Sequence, residues 1–162
     1  MVILGIDPGT AICGYGLIEA QGNRLSALAY GAVRTPAHTS QASRLHTIFT
    51  DLEAIIATYN PSHIGVEELF FNRNVTTAIT VAQARGVVLL AAARAGLSVH
   101  EYKPSQVKQA VVGYGRAEKQ QVQQMVRVLL ALDEIPKPDD VADALAVAIC
   151  CAHSLTWGVA CR

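Results

Sequence analysis

The spacing of apolar residues changes at about residue 40, and this change limits the possible folds more than any other feature of the chain. Before it, three short runs have the composition and spacing of β-strands, over 2–6, 14–20 and 25–34. A Gln-Gly-Asn turn at 21–23 joins the last two runs and predicts an antiparallel meander. After it, helical spacings alternate with short strand-like runs. This order predicts an α/β fold, a mixed sheet with helices packed on both faces.

The second part of the chain supplies two more strands, so we expect five in all. The predicted strands are 63–68 and 98–102, and the predicted helices are 41–59, 76–95, 104–112, 119–132 and 139–153. With 162 residues, 51% of them hydrophobic, the chain can bury one sizeable core. We therefore expect one domain over 1–154 and a short C-terminal tail over 155–162.

Several classes of protein fit the sequence poorly. No stretch approaches the roughly 20 apolar residues that span a bilayer, and the opening MVILGIDPGT lacks the basic region and long apolar run of a secretory signal. We therefore expect a cytoplasmic protein. The four cysteines, Cys13, Cys150, Cys151 and Cys161, form no C-x-x-C pair, which favours reduced and mostly buried thiols over a zinc site.

The net charge is zero, but the charges are unevenly distributed. One segment holds eight cations against two acids, a net charge of +6, which leaves −6 for the rest of the chain. The cations are Arg73, Arg85, Arg94, Lys103, Lys108, Arg116, Lys119 and Arg127, and the acids are Glu101 and Glu118. The segment is either a phosphate-binding surface beside an acidic site or a set of ordinary solvated helix faces.

Carboxylates stand where three predicted elements begin or end. Asp7 closes the first strand, Glu67 closes the fourth beside Glu68, and Asp140 and Asp143 lie one turn apart in the last helix. Taken singly, Asp7 fits an ordinary turn and Glu67 a solvated strand end. An aspartate within the apolar run VADALAVAIC is harder to explain by solvation, so Asp143 is the most informative of the four.

Together these four carboxylates would form a site of hard oxygen ligands, suited to Mg²⁺ or Mn²⁺. Two such ions can activate water and stabilise the leaving oxygen in phosphodiester hydrolysis. No G-x-S-x-G, G-x-x-x-x-G-K or H-E-x-x-H motif offers a different catalytic set.

The motifs then show a family resemblance. GIDPGT with GYG, VEELFFNRN, QARGV, QVKQAVVGYGRAEKQQV and ADALAVA occur in an order and at spacings that resemble the RuvC Holliday-junction resolvases of bacteria. The resemblance runs from about residue 2 to 153, and the lysine-containing motif is its most specific part.

The resemblance implies an RNase H-like fold and roles for individual residues. Asp7, Glu67, Asp140 and Asp143 match the family's metal-binding and catalytic carboxylates, although some members carry histidine where this chain has Asp140. The resemblance also implies DNA contacts by Phe70, Lys108 and Lys119, although Phe70 could equally be a core residue and each lysine a solvated helix end. Arg73 follows in the same loop as Phe70 and would suit a phosphate. The alanine-rich helix predicted over 76–95 resembles the helix through which the family forms homodimers, although a helix buried within the monomer would have the same composition.

The implied activity is a crossover junction endodeoxyribonuclease of recombination and repair. It would make paired symmetric nicks in four-way junctions, leaving 5′-phosphate and 3′-hydroxyl ends, and would cooperate with the RuvA–RuvB branch-migration proteins. The remaining alternatives are another RNase H-like nuclease or an inert junction-binding relative. Half of a sugar-kinase or Hsp70-like ATPase also opens with D-x-G-T, but 162 residues cannot supply its two lobes.

Overall fold

The computed structural model describes residues 1–68 and 75–157 of the chain. Within them, five strands and five helices follow one another in the predicted order. They are β1 (Val2–Asp7), β2 (Ile12–Gln21), β3 (Arg24–Arg34), α1 (Gln41–Tyr59), β4 (His63–Glu67), α2 (Val75–Arg94), β5 (Ser98–Tyr102), α3 (Pro104–Val112), α4 (Lys119–Leu129) and α5 (Asp139–Trp157).

The strands form one mixed sheet in the order β3-β2-β1-β4-β5. The meander β1-β2-β3 is antiparallel, whereas β4 and β5 run parallel to β1. The prediction of a five-stranded mixed sheet is therefore confirmed. Because β1 and β4 are parallel neighbours, their carboxyl ends reach the same edge of the sheet.

Two apolar layers cover the two faces of the sheet, as side-chain alternation along a strand requires. Ile3 of β1 packs in the layer formed with α3, α4 and α5. Its neighbour Leu4 packs in the other layer, with α1 and α2. The prediction of helices on both faces is thus also confirmed.

Helix α5 lies unusually close to the sheet, since glycines replace side chains beneath it. A Cβ atom at Gly5 of β1 would lie 2.6 Å from the Ala148 amide nitrogen, too close for any larger residue. Along α5, every residue from Ala144 to Ala152 is buried. This close contact makes α5 the central helix of its layer. It also fixes the distance between the first turn of α5 and the strands β1 and β2 beneath it.

The structure changes the predicted bounds of two helices. α4 ends at Leu129 rather than at residue 132, because Ala131 takes a left-handed conformation with φ of 51°. α5 continues to Trp157 rather than ending at His153, since Leu155 still packs against the core. Residue 155, the predicted start of the tail, therefore lies inside this helix, and 158–162 lie outside the described residues.

The cysteine prediction is confirmed where the structure describes it. Cys13, Cys150 and Cys151 are buried, and none of them forms a disulfide within the described residues. Cys161 lies outside the described residues. Among the helices of residues 1–68 and 75–157, none has the length and apolarity needed to cross a membrane.

Candidate active site

Three elements bring the predicted carboxylates to one edge of the sheet. Asp7 is the last residue of β1, and Glu67 is the last residue of β4. Asp140 and Asp143 lie in the first turns of α5. Gly14, which pairs with Asp7 across β1 and β2, lies directly beneath the backbone of Asp140, so the strands and the helix start meet at this point.

The Asp7 carboxyl is close enough to the other three to be affected by their charges. Burial is the main cause that raises the pKa of Asp7 to about 7. The negative charges of Asp143, Glu67 and Asp140 raise it further, in that order, and Lys119 opposes them. The four carboxylates predicted from the sequence therefore share one electrostatic environment.

Glu67 and Asp143 respond to the same surroundings. Burial raises the pKa of each carboxyl, and the charge of Asp143 adds to the effect on Glu67. Lys108 and Lys119 lower the pKa of Glu67, and a hydrogen bond from Lys119 lowers that of Asp143. The site is thus an excess of partly buried negative charge that two lysines partly neutralise.

Lys119 is the first residue of α4, and its ammonium group bridges two acids of α5. Its Nζ atom lies 3.0 Å from Asp143 Oδ2 and 3.3 Å from Asp139 Oδ2. Sequence reasoning missed Asp139 as a partner of Lys119, because the contact joins two helices whose relative position no local pattern specifies. Lys119 holds the start of α4 beside the start of α5.

A pocket of about 210 Å³ opens beside these residues. Glu67, Lys108, Lys119 and Asp143 supply its polar wall, and its apolar wall consists of Pro104, Val107, Val122 and Ala146. The pocket brings two of the predicted carboxylates and both predicted lysines to one surface. Lys108 forms no salt bridge with any of the described residues, so its ammonium group is available to an anion.

The donor set fits a hard divalent cation, but the side chains are not gathered around one centre. Among residues 1–68 and 75–157, no three side chains of His, Cys, Asp or Glu lie close enough together to hold one ion. Repulsion between the carboxylates keeps their side chains apart. The ion pair of Lys119 with Asp143 also holds Asp143 away from a common centre. The oxygen donors and their excess negative charge nevertheless match what Mg²⁺ or Mn²⁺ requires.

The predicted basic segment is less positive in the folded chain than in the sequence. Arg85 pairs with Glu101, Arg94 with Glu53, and Lys119 with the acids of α5. Four other cations of the segment make no salt bridge with the part of the chain that the structure describes: Lys103, Lys108, Arg116 and Arg127. Phe70 and Arg73, predicted to bind DNA, lie outside the described residues.

The chain has a mixed sheet with this strand order, flanked by helices, and acidic residues lie where β1, β4 and α5 meet. These features define a protein of the RNase H-like class. Comparison with known proteins identifies the family within this class. The family model for crossover junction endodeoxyribonuclease RuvC matches residues 3–151. The chain therefore belongs to the RuvC family.

Individual relatives agree with this assignment. The chain is 94% identical to the crossover junction endodeoxyribonuclease RuvC of Heliobacterium modesticaldum over the full length of both. The structure of Thermus thermophilus RuvC is similar, with a TM-score of 0.89 and 38% identity over 98% of this chain and 97% of that one. RuvC from T. thermophilus in complex with a Holliday junction substrate has the same TM-score, with 36% identity and the same coverage.

Proposed function

We propose that this chain resolves four-way DNA junctions by hydrolysing phosphodiester bonds at the site formed by Asp7, Glu67, Asp140 and Asp143. The observation that carries the proposal is the partly buried, mutually repelling carboxylate set where β1 and β4 end and α5 begins, in a chain of the RuvC family. The similar T. thermophilus RuvC, in complex with a Holliday junction substrate, supports the same choice of DNA.

Membership of the family implies that the activity depends on a divalent metal ion. We infer Mg²⁺ or Mn²⁺, held as two ions by the four carboxylates. When bound, such ions supply a water of lowered pKa and stabilise the charge on the leaving 3′-oxygen, so that the products carry 5′-phosphate and 3′-hydroxyl ends. Asp7 would lie centrally, because the other three carboxylates all act on its charge.

The lysines of the pocket have distinct roles in this proposal. Lys119 neutralises Asp143 at 3.0 Å in the free protein and would turn toward the phosphate when the acids are otherwise neutralised. Lys108 shares the pocket with Glu67 and would contact the DNA backbone from α3. Phe70 and Arg73 remain predicted contacts to a base and to a phosphate.

A homodimer would explain paired nicks, since a four-way junction has nearly two-fold symmetry. Helix α2 carries an exposed stripe with the four-and-three spacing of helices that pack against each other. Its members are Ile79, Gln83, Gly86, Leu90 and Ala93. Ile79 and Leu90 are 53% and 54% exposed, and the space above Gly86 is open, so a second helix could approach closely.

Two further parts of the proposal rest on the family alone. Cooperation with the RuvA–RuvB branch-migration proteins would couple movement of the junction to cutting, and co-purification with the tagged proteins on a junction would test it. A cytoplasmic location, where the chromosome of a bacterium lies, remains a prediction that fluorescence microscopy of a tagged chain would test.

Cleavage of a labelled synthetic four-way junction tests the central proposal. With Mg²⁺ or Mn²⁺, we expect symmetric nicks that a ligase can seal, and with EDTA we expect none. Asp7→Asn should still bind the junction and lose cutting, whereas Asp51→Asn, which changes an exposed carboxylate on α1, should cut normally.

The substrates distinguish the alternatives. Equal cutting of duplex DNA or of an RNA–DNA hybrid would favour another RNase H-like nuclease, and binding without cutting would favour an inert relative. Cutting by Asp7→Asn at the wild-type rate would place the active site elsewhere.

A further inference from the structure

Two histidines form a contact on the sheet that the acidic site does not use. His63 is the first residue of β4, and His100 is the third residue of β5. His63 Nδ1 lies 3.1 Å from His100 Nε2, with the ring centroids 5.2 Å apart and the ring planes tilted by 51°. Glu67 lies at the opposite end of β4, which at about 3.3 Å per residue is roughly 13 Å along the strand.

The register of the two strands explains how the rings meet. His100 pairs with Gly65 on β4, two residues beyond His63 and therefore on the same face of the sheet. Gly65 has no side chain, which leaves the ring of His100 room to lean toward His63. Both imidazoles are only partly buried, so a solute can reach them.

We propose that His63 and His100 together bind one divalent transition-metal cation of the Zn²⁺ or Ni²⁺ class, with water completing its coordination. Imidazole nitrogens bind zinc at about 2.0–2.1 Å, so two of them lie about 2.9 Å apart at a right angle and about 3.3 Å apart at a tetrahedral angle. The observed 3.1 Å lies between these values. Imidazole ligands suit zinc and nickel, whereas magnesium prefers oxygen, so the two sites select different ions.

A bound ion would take the place of the proton between two neutral imidazoles, and that proton would move to the other ring nitrogen of the donor histidine. In the contact between His63 and His100, one ring donates an N–H group and the other accepts it. Burial and the neighbouring His63 lower the pKa of His100, so its ring is neutral near pH 7 and competes little for protons. Glu101 follows His100 on β5, so its side chain projects to the other face of the sheet, where it pairs with Arg85. Its carboxylate is therefore directed away from the two histidines.

The site would join β4 to β5 by a cross-link that exists only in the folded chain. A ligand that binds only the folded state raises the melting temperature as its concentration exceeds the dissociation constant. Because β4 also carries Glu67, the cross-link would hold the strand on which part of the acidic site is built. The proposal does not depend on the nuclease activity.

Thermal unfolding and calorimetry of the full chain test the proposal, with Zn²⁺ added over a large excess of Mg²⁺. We expect one zinc ion per chain and a rise in melting temperature of several degrees. His63→Gln and His100→Gln should each lose this rise and weaken zinc binding at least tenfold. His46→Gln, which changes an exposed histidine on α1, should behave as the wild type.

Two controls keep the result interpretable. Melting temperatures in EDTA show whether each variant folds, and imidazole NMR signals of the wild type identify the rings that zinc shifts. If zinc raises the melting temperature equally in all four proteins, or leaves the signals of His63 and His100 unchanged, the proposal is overturned.

Discussion

The charge of Asp7 determines how the free protein responds to pH. In the folded chain its pKa is about 7, against an ordinary value of 3.8. The folded state therefore binds this proton more tightly than the unfolded chain does. Stability from this group is present at pH 4, falls as the pH rises toward 7 and is lost above it. Burial of this aspartate therefore reduces the stability of the free protein above pH 7.

We predict that Asp7→Asn stabilises the protein at pH 8 in EDTA by about 2–4 kcal/mol, since the amide replaces a carboxylate that is charged, buried and repelled. The wild type should become less stable from pH 5 to pH 8, and the variant should show a weaker dependence. Urea unfolding at several pH values measures both. A wild type whose stability rises over this range, or a variant with the same slope, would contradict the assignment.

The same charges link cation binding to proton release. Because the pKa of Asp7 is raised to about 7, a cation must displace a proton from this carboxyl near neutral pH. The pKa values of Glu67 and Asp143 are raised as well, which acts in the same direction. We predict that Mn²⁺ affinity rises from pH 6 to pH 8, and that calorimetry in buffers of different ionisation enthalpy detects released protons. Affinity that is independent of pH would show that these carboxyls are not the ligands.

Lys119 is the residue whose removal should change both the rate and its pH dependence. It lowers the pKa of Asp7, Glu67 and Asp143, so Lys119→Met should shift the acid limb of the pH–rate profile to higher pH. Loss of its charge near the phosphate should also slow cutting by about 10²-fold. Lys137→Met, an exposed lysine outside the pocket, is the matched control. An unshifted profile would show that Lys119 does not affect the pKa values of these three carboxyls.

At the scale of elements, the contact of α5 with the sheet positions half of the acidic site. A Cβ atom at Gly14 would overlap the backbone oxygen of Asp140 and lie 3.1 Å from its Cβ atom. We predict that Gly14→Ala lifts the first turn of α5 and slows cutting by at least tenfold, because small displacements of catalytic groups are costly. Ala57→Ser, an equally small change at an exposed position of α1, should leave activity unchanged.

Stability measurements distinguish a displacement of α5 from a general loss of folding in the Gly14→Ala variant. Overpacking of a close contact costs about 1–3 kcal/mol, so Gly14→Ala should also lower the melting temperature. If cutting falls while the chain is still fully folded at the assay temperature, the loss reflects the position of Asp140 and Asp143. Wild-type cutting would show that α5 tolerates the displacement.

Local patterns predicted the elements well and their contacts poorly. The run at β1 and the spacing of α1 follow from burial on one or two faces, which a sequence records directly. The bounds of α4 and α5 depended instead on Ala131 and Leu155, whose conformation and packing are set by distant residues. The pair of Lys119 with Asp139 likewise joins separate helices.

In the carboxylate site too, local sequence patterns predicted some features, whereas others depended on contacts between distant residues. Asp143 could be singled out because a charge within a buried helix face needs a partner, a condition visible in the sequence. The glycines that admit α5, such as Gly14, could not be distinguished from turn glycines, since their role depends on which helix lies above them. The basic segment appeared stronger in the sequence than in the fold, because Arg94 and Lys119 meet acids from outside the segment.

At the scale of the whole molecule, one chain offers one acidic site, and paired nicks need two. The exposed stripe of α2 lies in the layer on the opposite face of the sheet from α5, so a partner could dock there without covering α5. A dimer through α2 would then leave both acidic sites open to DNA. The stripe is therefore the element to change when the dimer is tested.

We predict that Leu90→Lys makes the chain monomeric at micromolar concentration, because it replaces a large apolar side chain of the exposed stripe, 54% exposed, by a charge. Val128→Lys changes a residue of α4 that is 59% exposed and lies outside the stripe, and should leave the dimer intact. Analytical ultracentrifugation measures both. On a plasmid with an extruded cruciform, the dimer should give linear product by paired nicks, and the Leu90→Lys monomer should give nicked circles. A Leu90→Lys protein that stays dimeric would show that the dimer does not form through α2. A monomer that still gives linear product would show that paired nicks do not require the dimer.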